Sequence, residues 1–161
     1  MIPDKKQLLS KILNRFELSS HSPHGPSHWG RVLTNGLKIA KHSDGVDLEV
    51  IELFAFFHDS CRLNDNNDPF HGKRGIIFAE SLRDECYSIN DDQFKLFSEA
   101  CEYHTSGRDQ KNMTIACCWD ADRLDLARVG ITPDPAYLIT EYAKRADVID
   151  WAVRRSIKSI T

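Results

Sequence analysis

The stretch "FAFFHDSCR", residues 54–62, sets a histidine and an aspartate at the end of one of the most apolar runs in the chain. Val50, Ile51, Leu53, Phe54 and Phe57 recur at the spacing of a helix that faces a core. Asp47 is the expected N-cap, with Glu49 in the first turn. The helix should end near Arg62, where "LNDNNDP" cannot continue it. A helix built for burial has no reason to deliver an imidazole and a carboxylate unless both find partners there, because an isolated buried charge costs several kcal/mol.

The same helical period extends in both directions. Helices are expected over about residues 4–18, 27–42 (capped by Ser27), 72–84, 91–104, 111–128 and 134–158, the last broken near Asp147. "SSHSPHGPSH" and "SDGVD" read as loops on their Ser, Pro, Gly and Asp content. Period-two strand patterns are scarce, so the chain reads as all-α, a single-domain helical bundle over residues 1–161. Its length suffices for one real core.

Composition excludes several roles. Lys and Arg number 21 against 24 Asp and Glu, a formal charge of -3. That balance gives no general attraction to nucleic acid or anionic membrane, and the basic residues are scattered apart from "RRSIK" near the end. No apolar run approaches a membrane span, and "MIPDKKQLLSKIL" lacks the apolar block of a secretory signal, so the expected location is cytoplasmic. The 5 cysteines are odd in number, form no CxxC pair and mostly sit in apolar segments. They read as small buried hydrophobes rather than disulfides or a zinc site.

Polar residues can then be placed on helix faces, at about 100° per residue. His104 shares a face with Phe94, Phe97 and Cys101. Asp122 falls in the middle of a stripe made by Ile115, Cys118, Trp119, Leu126 and Val129. Asp120 points nearly opposite, towards Met113, Ala116, Cys117 and Leu124. A carboxylate inside an apolar stripe needs a cation or a donor. His28 opens one helix, His58 and Asp59 close another, Asp122 lies on a third, a loop contributes His71, and a further helix contributes His104. Taken singly, a histidine on an apolar face is more often a hydrogen-bonded core residue. Together these residues form a donor set that suits divalent Mn, Fe, Ni, Co, Zn or Mg held between helices.

The ordered pattern "SHWGRV", "FFHDS", "DADRLDL" resembles the HD-domain superfamily of metal-dependent phosphohydrolases, in particular its small single-domain bacterial members. The resemblance spans about residues 27–129, with C-terminal helices over about 134–158. It implies that His28, His58, Asp59 and Asp122 are the ligands of a mononuclear site, and "ADRL" selects Asp122 over Asp120. "DPFHGKRGIIFA" and "CEYHTSG" are similar to places where two-metal branches carry extra histidines. His71 and His104 would then hold a second ion with Asp59 bridging. The Gly-Tyr-Pro signature of the cyclic-dinucleotide branch is absent, as are the regulatory and synthetase domains of the alarmone-hydrolysing relatives.

Such a site suits phosphate esters. A divalent ion makes hydroxide available near neutral pH and neutralises charge on phosphoryl oxygen. Arg62, Lys73, Arg74, Arg108 and Arg123 fall beside the ligands in sequence, and one or two are expected to face the substrate. Asp59, Arg62, Lys73 and Arg123 are the candidate catalytic residues. Asp125 is a candidate to orient a ligand, and His24 and Asp120 are weaker candidates for the general acid or base. No P-loop, dinucleotide fingerprint or HExxH occurs, "NDNNDP" lacks the Gly and Glu of an EF-hand, and Cys61 reads as packing.

The expected activity is hydrolysis of a small phosphorylated substrate, a nucleotide or metabolite, by metal-activated water. A di-iron oxygenase built on the same six ligands and a non-catalytic nucleotide sensor are the alternatives. The oligomeric state is open, since the segment with Tyr137, Tyr142, Trp151 and Ile157 would cover either the chain's own core or a second subunit.

Overall fold

The computed structural model describes residues 1–158, and seven α-helices account for most of them: α1 (Lys5–Arg15), α2 (Pro26–Ala40), α3 (Leu48–Phe57), α4 (His71–Leu82), α5 (Asp91–Tyr103), α6 (Met113–Arg123) and α7 (Ala146–Lys158). No strand occurs among the described residues, and none of their helices is long and apolar enough to cross a membrane.

Helix α3 is the axis of the fold. Asp47 caps it, accepting from the backbone N–H groups of Glu49 and Val50. From Val50 to Phe57 every residue but Glu52 is buried. Such all-round burial requires neighbours on every side, and α2, α4, α5 and α6 all pack on it, with α1 touching one end. Helix α6 is also buried on most faces and lies between α2 and α5.

Two close approaches bring α4 and α3 to where their histidines meet α5. At Gly72 an added Cβ would sit 2.1 Å from the Cys101 carbonyl oxygen on α5, and at Gly75 one would sit 2.5 Å from the Phe57 carbonyl on α3. Only hydrogen at these positions lets α4 lie against both backbones.

Several boundaries differ from the sequence reading, each for a physical reason. Helix α2 starts earlier than Ser27, with Gly25 at the cap and Pro26 at N1, where a missing N–H is harmless. Helix α4 starts at His71, whose ring bonds the Asp68 carbonyl. The expected 111–128 helix is two pieces, α6 and a 3-10 turn over Leu126–Val129 that ends on Gly130 at φ 79°. The expected 134–158 helix begins only at Ala146. Asp120 holds the preceding segment, accepting from the Ile139 and Thr140 backbone N–H groups at 2.9 and 2.7 Å. Those tertiary bonds outweigh local helical preference.

Candidate metal centre

Each of four histidines has its tautomer set by an acceptor at Nδ1. His28, near the start of α2, donates Nδ1–H to Asp125 Oδ2 at 2.7 Å. His58, at the C-cap of α3, donates to the Phe54 carbonyl at 3.0 Å, and its ring stacks on Phe54. His71 donates to the Asp68 carbonyl, and His104, at the C-cap of α5, to the Cys101 carbonyl at 2.7 Å. In the neutral ring the lone pair is then on Nε2 in every case.

These four Nε2 atoms converge in two pairs. His28 and His58 face each other at 3.1 Å, and His71 and His104 at 2.9 Å. Two lone pairs at that distance repel unless a cation lies between them. The spacing is the one expected of neighbouring ligands about 2.0–2.1 Å from a shared ion.

Asp59 sits between the pairs and divides its oxygens. Oδ2 is 3.6 Å from His28 Nε2 and 3.7 Å from His58 Nε2, while Oδ1 is 3.1 Å from His71 Nε2 and 3.6 Å from His104 Nε2. Oδ1 is buried without a well-formed hydrogen bond. An orphaned carboxylate oxygen in the interior is costly, and a cation removes that cost. Asp122 Oδ1 completes the first group, 3.1 Å from His28 Nε2 and 3.7 Å from His58 Nε2. The donors therefore fit metal ions in two groups: His28, His58 and Asp59 with Asp122 beside them, and Asp59, His71 and His104.

Protonation follows the burial and the charges. Burial pushes the His58 imidazole down to about 3, so it stays neutral and available as a donor. Burial would raise Asp59, but the ring of imidazoles around it, His24 bonded at 2.7 Å among them, prevails and holds it well below the usual carboxylate range. Asp122 is likewise lowered against its burial, chiefly by its close contact with His28. His104 is raised despite burial because Asp59 favours its proton. A metal ion would take that proton's place.

A second layer fixes these groups. Asp125 accepts from His28, from Arg31 Nε at 2.7 Å and from Ser156 Oγ at 2.5 Å, which ties α7 to the ligand on α2. His24, in the loop before α2, bonds Asp59 Oδ2 through Nδ1 at 2.7 Å.

Asp59, His104 and Asp122 open onto a cleft of about 800 Å³ whose walls include His24, Arg62, Arg108, Arg123 and Arg128, and His28, His58 and His71 stand behind them. Arg62 Nη1 reaches Asp59 Oδ1 at 3.5 Å. Lys73 does not join them. It is exposed on the far side of α4, because two residues after His71 is more than half a turn round the helix. Arg74 pairs with Asp68 instead of facing the cleft. Both inward carboxylates of α6 are accounted for. Asp120, fully buried, serves the 139–140 backbone, while Asp122, expected at the centre of an apolar stripe, has 17% of its side chain exposed towards the cleft. Arg128 was not foreseen, since it lies beyond α6 on the 3-10 turn, with nothing in its spacing to mark it.

No family model matches the chain, and no curated protein matches it in sequence. A solved structure does match in fold: a predicted HD superfamily hydrolase from an uncultured Thermotogales bacterium, determined at 1.45 Å, is 23% identical, with a TM-score of 0.70 over 99% of this chain and 90% of that one. The chain thus has the all-α HD-domain fold.

Proposed function

We propose that the protein is a metal-dependent hydrolase that cleaves a phosphate ester or anhydride of a nucleotide or other small phosphorylated metabolite. The observation that carries this reading is the convergence of four imidazoles and two carboxylates at the base of an arginine-lined cleft, with Asp59, Asp122 and His104 opening onto it. The name of the fold relative, a predicted hydrolase, supports the reaction class alone.

His28, His58, Asp122 and Asp59 Oδ2 would hold one divalent ion, and His71, His104 and Asp59 Oδ1 a second. When bound, the ions lower the pKa of an attacking water and offset charge on the phosphoryl oxygens. The chain's own residues do the rest. Arg62 and Arg123 keep two positive charges beside the floor, which draws an anionic group in and orients it. Asp125 holds the His28 ring at the angle its Nε2 requires. His24 has Nδ1–H engaged by Asp59, so Nε2 is the atom able to take a proton from the attacking water and then pass it to a leaving oxygen.

The test is release of inorganic phosphate from a panel of nucleotides and sugar phosphates by protein loaded with Mn, Co or Ni. Release that a chelator abolishes and that His58→Ala lacks is the expected result. No release with any metal, together with dioxygen consumption by iron-loaded protein, would replace this reading with that of a di-iron oxygenase.

A further inference from the structure

We propose that the outer half of the cleft is a subsite for a nucleobase, which makes the substrate a nucleoside monophosphate. This rests on the hydrolase reading above. It comes from what the cleft's arginines are already doing, and from the wall they face.

Three of the four arginines each spend two of their N–H donors on the protein backbone. Arg62 donates to the Asn64 and Asn66 carbonyls at 3.2 and 2.7 Å. Arg123 donates to the Tyr137 carbonyl at 3.1 Å and to the Gly107 carbonyl. Arg128 donates to the carbonyls of Pro23 and Asp125 at 2.6 and 3.0 Å. Their charge remains in the cleft, but their forks are not free to clamp a chain of phosphates bidentately. Among the described residues, Arg108 alone of these arginines makes no hydrogen bond or ion pair. A diphosphate or triphosphate tail would find only Arg108 with its whole fork unengaged, whereas a single phosphoryl group on the floor needs no more than that.

The wall from Leu126 to Leu138 presents Leu126, Val129, Ile131, Pro133, Tyr137 and Leu138 to the cleft, interrupted by Arg128, Thr132 and Asp134. Val129, Ile131 and Tyr137 leave 44%, 54% and 56% of their surface in water. The Arg108 guanidinium lies 4.9 Å from the centre of the Tyr137 ring, so the wall ends in a flat, cationic and aromatic ledge. Arg123 braces that ledge, because its two backbone acceptors belong to Tyr137 and to the neighbour of Arg108. A planar heteroaromatic ring satisfies both the apolar wall and the ledge. A cleft of about 800 Å³ has room for base, ribose and phosphate, and a phosphosugar would leave its outer half empty.

The experiment is calorimetric binding of adenosine, cytidine, their monophosphates, adenosine triphosphate and ribose 5-phosphate, with hydrolysis measured in parallel. A nucleoside should bind with or without added metal. A monophosphate should bind about tenfold or more tighter than ribose 5-phosphate, the weight of one stacking contact, and the triphosphate no better. Tyr137→Ala and Arg108→Ala should each weaken nucleoside binding and lower the nucleotide-to-ribose-phosphate ratio of kcat/KM, again about tenfold. Both side chains are exposed, so neither variant should unfold. Equal affinity for ribose 5-phosphate, a preference for the triphosphate, or variants without effect would overturn the proposal. Nucleoside binding without hydrolysis of any ester keeps the subsite and removes the hydrolase reading. Hydrolysis of ribose 5-phosphate without nucleoside binding does the reverse.

Discussion

Gly72→Ala alters no donor atom, yet it should damage the candidate metal centre. The new methyl would lie 2.1 Å from the Cys101 carbonyl oxygen and 2.9 Å from its carbon. A comfortable C···O contact is about 3.3 Å, so α4 must retreat from α5 by about 1 Å. Overpacking against backbone stands at the upper end of the usual penalty, about 3 kcal/mol. Better helix propensity of alanine returns about 1 kcal/mol. The net of about 2 kcal/mol corresponds to a Tm lower by about 4–8 °C for a chain of this size. The same retreat pulls His71 on α4 from His104 at the end of α5, whose Nε2 atoms are 2.9 Å apart. Ligand distances tolerate only about 0.2 Å, so the ion held by those two residues should be lost or bound at least about tenfold more weakly. Thermal unfolding and metal content, measured on the same preparation, check both halves. A Tm at or above that of the parent, with metal content unchanged, would refute the close approach and its link to the site.

Asp122→Ala and His58→Ala should each remove metal and phosphate release together, read by elemental analysis and a phosphate assay. Asp120→Ala should do something different: it strands the buried N–H groups of Ile139 and Thr140, lowers stability by about 2–4 kcal/mol in denaturant titration, and leaves metal content intact. Asp68 is lowered against its burial by Arg74 and the Leu63 N–H, so its ionised form stabilises the fold. That contribution is full above the unfolded pKa of about 3.9 and disappears as pH falls through the lower folded value. Asp68→Asn should therefore cost about 1 kcal/mol near neutral pH, and the cost should shrink progressively as pH falls below the unfolded value, seen by comparing denaturant midpoints.

The fold was legible where local chemistry acts alone. Asp47 announces α3 because its carboxylate caps the first turn, and the apolar run behind it could only be a buried helix. The bundle's C-terminal third was not legible, because residues 138–140 obey Asp120 on another helix instead of their own helical preference. Much the same division holds in the site. Burial of a charge marks Asp122, the ordered HD-like pattern supplies the other candidate ligands, and the structure brings all six together in two groups sharing Asp59. Helical-face arithmetic placed Asp122 inside an apolar stripe, yet a cleft wall and a core look alike to that arithmetic. Lys73 shows the converse, since nearness to His71 in sequence put it on the opposite side of α4. Arg128 and the Arg108–Tyr137 ledge depend on how loops meet across the cleft, which no spacing along one helix records.

The central claim is that two cation sites share Asp59. Its most direct test is metal identity and stoichiometry per chain, by mass spectrometry on protein purified without chelators or metal-affinity resin, beside His71→Ala and His58→Ala. The account predicts two divalent ions in the parent chain, with fewer in each variant. A parent chain free of metal and unable to bind any, or variants that keep the full complement, would contradict it.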